Sequence, residues 1–277
     1  MRLLLGLPSV ARTDLGIQEL SGSSVQDCGD HLVVRTPDRT DYHWGNALYV
    51  ATGDPDDAGR WLERFAEMFP DATYRAIGLP RRPEGAGWSD LDIEASEALT
   101  SSRAPSPTDV PAGYDIRALD SDADWLQRVE TECADNDGTY PAVEYRAFVS
   151  RQVRMRRALV ASGHAAWFGA FTRDGVLAGS LGICDLGGVA RYMSVITAVD
   201  HRRRGVARHL LTVAAEWALA RGVDELVIAA EADSGAGRLY VTAGFTPAET
   251  SFAAYAPKWP RSHPVRRLRS LVERRTR

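Results

Sequence analysis

The stretch Val195-Ile196-Thr197-Ala198-Val199-Asp200-His201-Arg202-Arg203-Arg204-Gly205-Val206-Ala207-Arg208 decides how the rest of the chain is read. Its β-branched opening predicts a strand, which gives way abruptly to three arginines and a glycine. An amphipathic pattern follows at once: Val206, Leu210, Val213, Ala214 and Trp217 share one face, predicting a helix over 206–221 that Gly222 stops. A strand that feeds a helix through a cationic glycine turn is suited to hold phosphate. The orphan N–H groups and the positive end of the helix dipole point out of the turn, and arginines surround it.

Working outward, Glu225–Ala230 reads as a buried strand and Ser234–Ala243 as a helix ended by Gly244, with closing strands from Phe245 to Tyr255. Upstream, Tyr114–Ala118 predicts a strand and Ser121–Ala134 a helix capped by Ser121. A polar turn at Asp135–Tyr140 leads to a helix from Pro141 to about Ala161. Arg173-Asp174-Gly175 is a turn signal that joins Ala166–Phe171 and Val176–Cys184 as a hairpin. Gly187-Gly188 turns the chain into the strand Ala190–Val199.

This order, β-α-α-β-β-β-α-β-α-β, with Arg202-x-x-Gly205-x-Ala207 after the fourth strand and Leu239-Tyr240 before Gly244-Phe245, resembles the GNAT acyltransferase superfamily from Tyr114 to about Ala256. Alone, Arg-x-x-Gly-x-Ala is a weak motif; its place between a strand and a helix, with Tyr240 downstream, makes it specific. Two positions depart from the family pattern. Asp233 stands where Asn is frequent, and Val199 where Pro is common.

The resemblance implies an α/β fold with a mixed, mostly antiparallel sheet flanked by helices. It implies acetyl-CoA as co-substrate, no metal, and direct attack of a primary amine on the thioester. That amine could belong to a small molecule, a peptide N-terminus or a lysine. Val195, Ile196 and Thr197 would hold the pantetheine, and Arg202, Arg203, Arg204, Gly205, Val206, Ala207 and Arg208 the pyrophosphate. Tyr240 would protonate the leaving thiolate. Asp233 either caps the helix at Ser234 or contacts the pantetheine. Plainer readings stand beside these: the arginine triplet as a solvated charge run or nucleic-acid patch, Tyr240 as a core tyrosine. A non-catalytic acyl-CoA sensor or docking protein on the same fold is the second reading of function, because no general base is identifiable.

Candidate bases are Glu132, Asp135, Asp137, Glu144, Asp185 and Tyr192, each more readily a surface residue. The acidic run Glu130, Glu132, Asp135, Asp137 suggests a cationic amine acceptor.

The first half reads as a worn copy of the second. A helix near Val10 to Leu20 precedes strands His31–Thr36 and Asn46–Ala51. Asp54 and Pro55 then predict a helix start, with Trp61, Leu62, Phe65, Met68 and Phe69 as its apolar face and Pro70 as its end. Thr73–Leu79 is a further strand, and Trp88–Thr100 reads as two short extended pieces. Where the second half carries arginines, the first carries Gly53, Asp54, Pro55, Asp56 and Asp57, which repel a pyrophosphate. Only the second half is expected to bind the coenzyme. An unrelated α/β lid domain is the alternative for the first half. His43 and Trp44 could reach an acceptor site, although packing suits Trp44 better.

The expected organisation is an accessory or degenerate domain over 1–105, a linker at 106–113, the GNAT domain at 114–257 and a basic tail at 258–277, whose many arginines face one acid, Glu273. The 277 residues carry a net charge of −4, unevenly spread: 1–110 hold 10 arginines against 18 carboxylates, the remainder 23 basic residues against 19 acidic. With 44% apolar and 25% charged residues the composition is that of a globular protein. Cys28, Cys133 and Cys184 lack disulfide or zinc spacing, which predicts reduced thiols in the cytoplasm. The opening apolar run is short and broken by Gly6 and Pro8, unlike a secretory signal. No stretch approaches the roughly 20 apolar residues of a membrane span.

Overall fold

The computed structural model describes residues 6–40, 42–106, 109–136, 138 and 140–256. Asp137 and the basic tail 258–277 lie outside them. Contacts divide the described chain into two compact units, 6–99 with 229–237 and 247–256, and 100–228 with 238–246.

In the first unit, α1 (Ser9–Leu20) precedes an antiparallel meander, β1 (Ser24–Asp27), β2 (His31–Arg35) and β3 (Ala47–Val50). Helix α2 (Ala58–Met68) then carries the chain to β4 (Arg75–Leu79), which pairs parallel with β3. Parallel pairing needs such a crossover, and the fully buried Trp61 and Phe65 of α2 seal it onto the sheet. The remaining strand is β5 (Asp92–Ser101), one continuous ten-residue strand where two short pieces were expected. Trp88 precedes it in a turn, buried, donating through Nε1 to the Pro55 carbonyl at 2.9 Å.

The start of α2 differs from expectation. Asp57, not Asp54, caps it by accepting a hydrogen bond from the Arg60 N–H at 3.2 Å. Asp54 is spent one turn earlier, accepting from the Asp56 N–H, so Pro55 sits in that turn rather than at the first helical position.

The chain's last strand, β11 (Thr246–Ala256), also differs. Expected to close the second half, it pairs antiparallel with β4 and lies between β4 and β5. Ala254 is fully buried opposite Ile77, and the Ser251 hydroxyl donates to the Ser96 carbonyl at 3.3 Å. The first unit's core therefore contains Phe252, Ala254 and Tyr255 from the far end of the sequence.

In the second unit the sheet order is β10-β9-β8-β7-β6, formed by β6 (Tyr114–Ala118), β7 (Ala165–Thr172), β8 (Leu177–Asp185), β9 (Val189–Thr197) and β10 (Glu225–Glu231). Helices α3 (Asp122–Ala134) and α4 (Ala142–Ala161) lie between β6 and β7, α5 (Val206–Leu219) between β9 and β10, and α6 (Gly235–Thr242) after β10. The Ser121 cap is a full capping box with Asp124, and Arg117 grips Asp124 with two 2.7 Å hydrogen bonds. Tyr192 donates to the Leu211 carbonyl of α5, while its neighbour Met193 packs in the cluster of α3 and α4. Successive strand residues point to opposite faces, so α5 covers one face of the sheet and α3 with α4 the other. On the latter face Gly182 is required: a Cβ there would fall 2.3 Å from the buried Trp167 ring.

Each unit thus contains the same run of a hairpin, a crossover helix and a parallel partner strand, β2-β3-α2-β4 and β8-β9-α5-β10.

Candidate functional site

The strand β9 is irregular where the sequence predicts function. Against β8, Leu181 alone stands opposite Ser194 and Val195, a bulge in which Ser194 takes a φ of 49°. Against β10 the parallel ladder runs only from Val189–Glu225 to Arg191–Val227. Beyond Arg191, six residues of β9 continue without β10, and Val195, Ile196 and Thr197 among them are half-buried. The strand ends at Thr197 rather than Val199; Val199–His201 form a 3-10 turn, and Tyr114 and His201 Nδ1 share a hydrogen bond at 2.8 Å.

Gly205 then adopts a φ of 82°, the left-handed turn that L side chains resist, and caps α5. No side chain caps this helix and no acid occupies its first turn, so the N–H groups of Val206, Ala207 and Arg208 are left for a ligand. Arg203 and Arg204 are exposed around it, Arg203 with a φ of 59°. Arg202 is not free in the same way. Its Nε donates to the Thr197 carbonyl at 2.9 Å and its Nη2 to Asp135 at 2.7 Å.

Tyr240, on α6, is 5% exposed, and among the described residues its ring meets Phe245 edge-on. Burial pushes its hydroxyl up to about 12, with Arg191 opposing, so the group stays protonated at neutral pH. Asp233 is exposed with a φ of 60°. At the start of α6 the Ser234 hydroxyl accepts the Gly237 N–H at 3.0 Å.

The candidate bases are mostly engaged. Tyr192 is a core residue bonded to Leu211, and its burial holds the hydroxyl protonated. Asp185 pairs with Arg221 at 3.3 Å and accepts the Gly187 N–H; Asp135 pairs with Arg202. Glu144 is exposed in the first turn of α4. In the acidic run expected to draw a cationic acceptor the described members are paired, Glu130 with Arg146, Glu132 with Arg128 and Arg156, and Asp135 with Arg202, while Asp137 lies outside the described residues.

The sequence reading missed the cluster of Arg128, Glu132 and Arg156. The i,i+4 spacing of Arg128 and Glu132 was visible, but a buried arginine leaves no mark distinct from a surface one. Burial works against the Glu132 carboxylate, yet Arg156 and Arg128 overcome it and hold its pKa below the usual value. Burial pushes Arg128 down to about 10, with Glu132 opposing the shift.

In the first unit the equivalent turn is filled by its own side chains. Asp57 occupies the α2 N-terminus; Asp56 accepts the Glu84 N–H and pairs with Arg81 at 2.6 Å. Arg81 also reaches Asp54 at 3.3 Å. His43 is packed, stacked 3.9 Å over Tyr74 and hydrogen-bonded to Tyr255, and Trp44 stacks on Tyr255.

The family model of the acetyltransferase (GNAT) family matches residues 125–245, from α3 through the turn to Phe245. A GCN5-related N-acetyltransferase from Kribbella flavida is similar in fold at 17% identity, covering 90% of this chain and 94% of that one, with a TM-score of 0.62. A functionally unknown conserved protein from Staphylococcus epidermidis covers 84% and 92% at 9% identity and a TM-score of 0.66. A tandem GNAT protein from the clavulanic acid biosynthesis pathway covers 88% of both chains at 16% identity and a TM-score of 0.56. The likeness extends through both units, and the fold is that of a tandem GNAT protein. No match was found among curated proteins. Among the described residues no helix is long and apolar enough to cross a membrane, and no group of His, Cys, Asp and Glu could hold a metal ion.

Proposed function

We propose that the chain is an acyl-CoA-dependent N-acyltransferase that uses acetyl-CoA and a primary amine. The observation that carries this reading is the course of β9: it leaves β10 after Arg191 and runs into an uncapped helix N-terminus flanked by Arg203 and Arg204. The separated edge of β9 at Val195–Thr197 offers backbone groups to the pantetheine amides, and the N–H groups at Val206, Ala207 and Arg208 take the pyrophosphate. Arg202 shapes the turn from within, while Arg203 and Arg204 supply charge. The amine nitrogen bonds to the thioester carbon, the C–S bond breaks, and the sulfur takes its proton from Tyr240. The amine's surplus proton leaves through water, which returns a proton to Tyr240, since the described carboxylates near α3 are paired with arginines.

The first unit is not a second coenzyme site. Asp54, Asp56 and Asp57 fill the place that phosphate would take, so one acetyl-CoA binds per chain. Titration calorimetry should give a stoichiometry of one, and Arg203→Glu with Arg204→Glu should weaken binding by tenfold or more. Unchanged affinity in that double variant removes the turn from the site.

The engagement of the candidate bases favours one competing reading, an acyl-CoA sensor without catalysis. Release of free thiol from acetyl-CoA across an amine panel decides between the two. Binding with no thiol release for any amine selects the sensor.

A further inference from the structure

The α3–α4 face of the second unit holds more buried positive charge than its own carboxylates balance. Arg128, 1% exposed, and Arg156, 8% exposed, both converge on one oxygen of Glu132, Oε2, at 2.7 and 2.9 Å. Arg128 Nη1 has no hydrogen aligned on that oxygen, and the Nε groups of both arginines are buried without a hydrogen-bond acceptor. Among the described residues two cations thus share one anion, which leaves a net positive charge in a desolvated place, a costly arrangement unless a further anion arrives. Among the described residues the neighbouring acids outside the cluster are engaged elsewhere, Glu130 with Arg146 and Asp122 with Arg157.

The cluster is also aimed at the reacting region. Arg128 Nη2 points to the Ser194 carbonyl at 3.4 Å, a long contact, and Ser194 is the bulge that precedes Val195–Thr197. Half-buried Tyr145, Phe148 and Met193 pack on the same core.

Resting on the acyltransferase reading above, we infer that the reaction takes a substrate bearing a carboxylate, which the Arg128–Glu132–Arg156 cluster recognises at the β9 bulge. Arg156, the more exposed arginine, meets the carboxylate first, and Arg128 adds charge from behind it. The carboxylate belongs either to the acceptor, as in an amino acid, or to the acyl group, as in a dicarboxylic acyl-CoA. Charge-assisted hydrogen bonds of this kind are worth about tenfold or more in selectivity.

The test uses the full chain and matched substrates. One arm compares phenylalanine with phenethylamine as acceptors of acetyl from acetyl-CoA; the other compares succinyl-CoA with propionyl-CoA, using phenethylamine. The expected result is a kcat/KM preference of tenfold or more for the carboxylate partner in one arm, and that arm names the source. In Arg156→Gln the preference ratio should collapse, and Arg156→Lys should retain part of it. Since the wild-type comparison needs no variant, misfolding of Arg156→Gln does not shield the inference. Equal or reversed preference in both arms, with acetyl-CoA turned over normally, overturns the carboxylate site alone. Absence of acetyl-CoA binding by calorimetry overturns the underlying acyltransferase reading instead.

Discussion

Arg202 and Asp135 form an ion pair at 2.7 Å that ties the cationic turn before α5 to the C-terminal end of α3. The same guanidinium holds the Thr197 carbonyl, so Arg202 fixes the exit of β9 while Asp135 sets a negative charge beside the turn proposed to take the pyrophosphate. Both side chains are about one-third exposed, so the attraction is modest and screened by salt. Asp135→Asn keeps an acceptor for Arg202 but removes the charge. Acetyl-CoA affinity should rise by about two- to fivefold at low salt, and the gain should vanish near 0.5 M salt (~4 Å screening). Calorimetry at both salt levels checks it; weaker binding at low salt would show that Asp135 serves the turn by bracing it.

Tyr240→Phe should lower kcat by about a hundredfold and leave acetyl-CoA affinity within about twofold. The raised pKa carries a sign: the neutral hydroxyl, which is the proton donor, persists until pH approaches about 12. The wild-type rate should therefore show no alkaline decline from this group between pH 7 and 10. A pH–rate profile of both proteins reads this, and an unchanged kcat in the Phe variant takes Tyr240 out of the chemistry.

Asp124 joins the α3 capping box to Arg117, which holds its carboxyl well below the usual range against the cost of burial. A depressed folded-state pKa stabilises above the unfolded value of about 3.9 and is lost as pH falls below it. Asp124→Asn should cost about 2 kcal/mol at pH 7. The gap from wild type should narrow below pH 3 in denaturant titrations. A constant gap across that range would assign the loss to packing rather than to charge.

Truncation after Phe245 removes β11 and should unfold the first unit, since β4 keeps only β3 as a partner and the core loses Phe252, Ala254 and Tyr255. A milder probe is Ala254→Asp, which buries a carboxylate at a fully enclosed position and should cost at least about 3 kcal/mol. Hydrogen exchange at β4 reports both. Native protection of β4 in the truncated chain would mean that β11 is dispensable to the unit.

The chain's local order was legible wherever chemistry is short-ranged. Gly205 after three arginines, the Ser121 cap and the Arg173-Asp174-Gly175 hairpin turn all act within a few residues, and each lies where it was read. The α2 start was displaced because three aspartates, Asp54, Asp56 and Asp57, stood close together as possible caps. The choice fell to Glu84 and Arg81, which claim Asp56 from far along the chain.

What the sequence determined by itself is the order of elements, the cationic turn, its acidic counterpart in the first half, and Tyr240 on the last helix. Each rests on residue types and spacings that a linear pattern records. Only the tertiary structure decided where β11 pairs, which acids are neutralised, and that Arg128 and Arg156 are buried around Glu132. Strand partners are chosen by burial and register among distant segments, and the net charge of a site depends on which side chains meet in space. Neither quantity is a property of neighbouring residues. The turn at Arg202–Ala207 was therefore readable as a cationic glycine turn before a helix, while the state of Arg202, held by Thr197 and Asp135, was not.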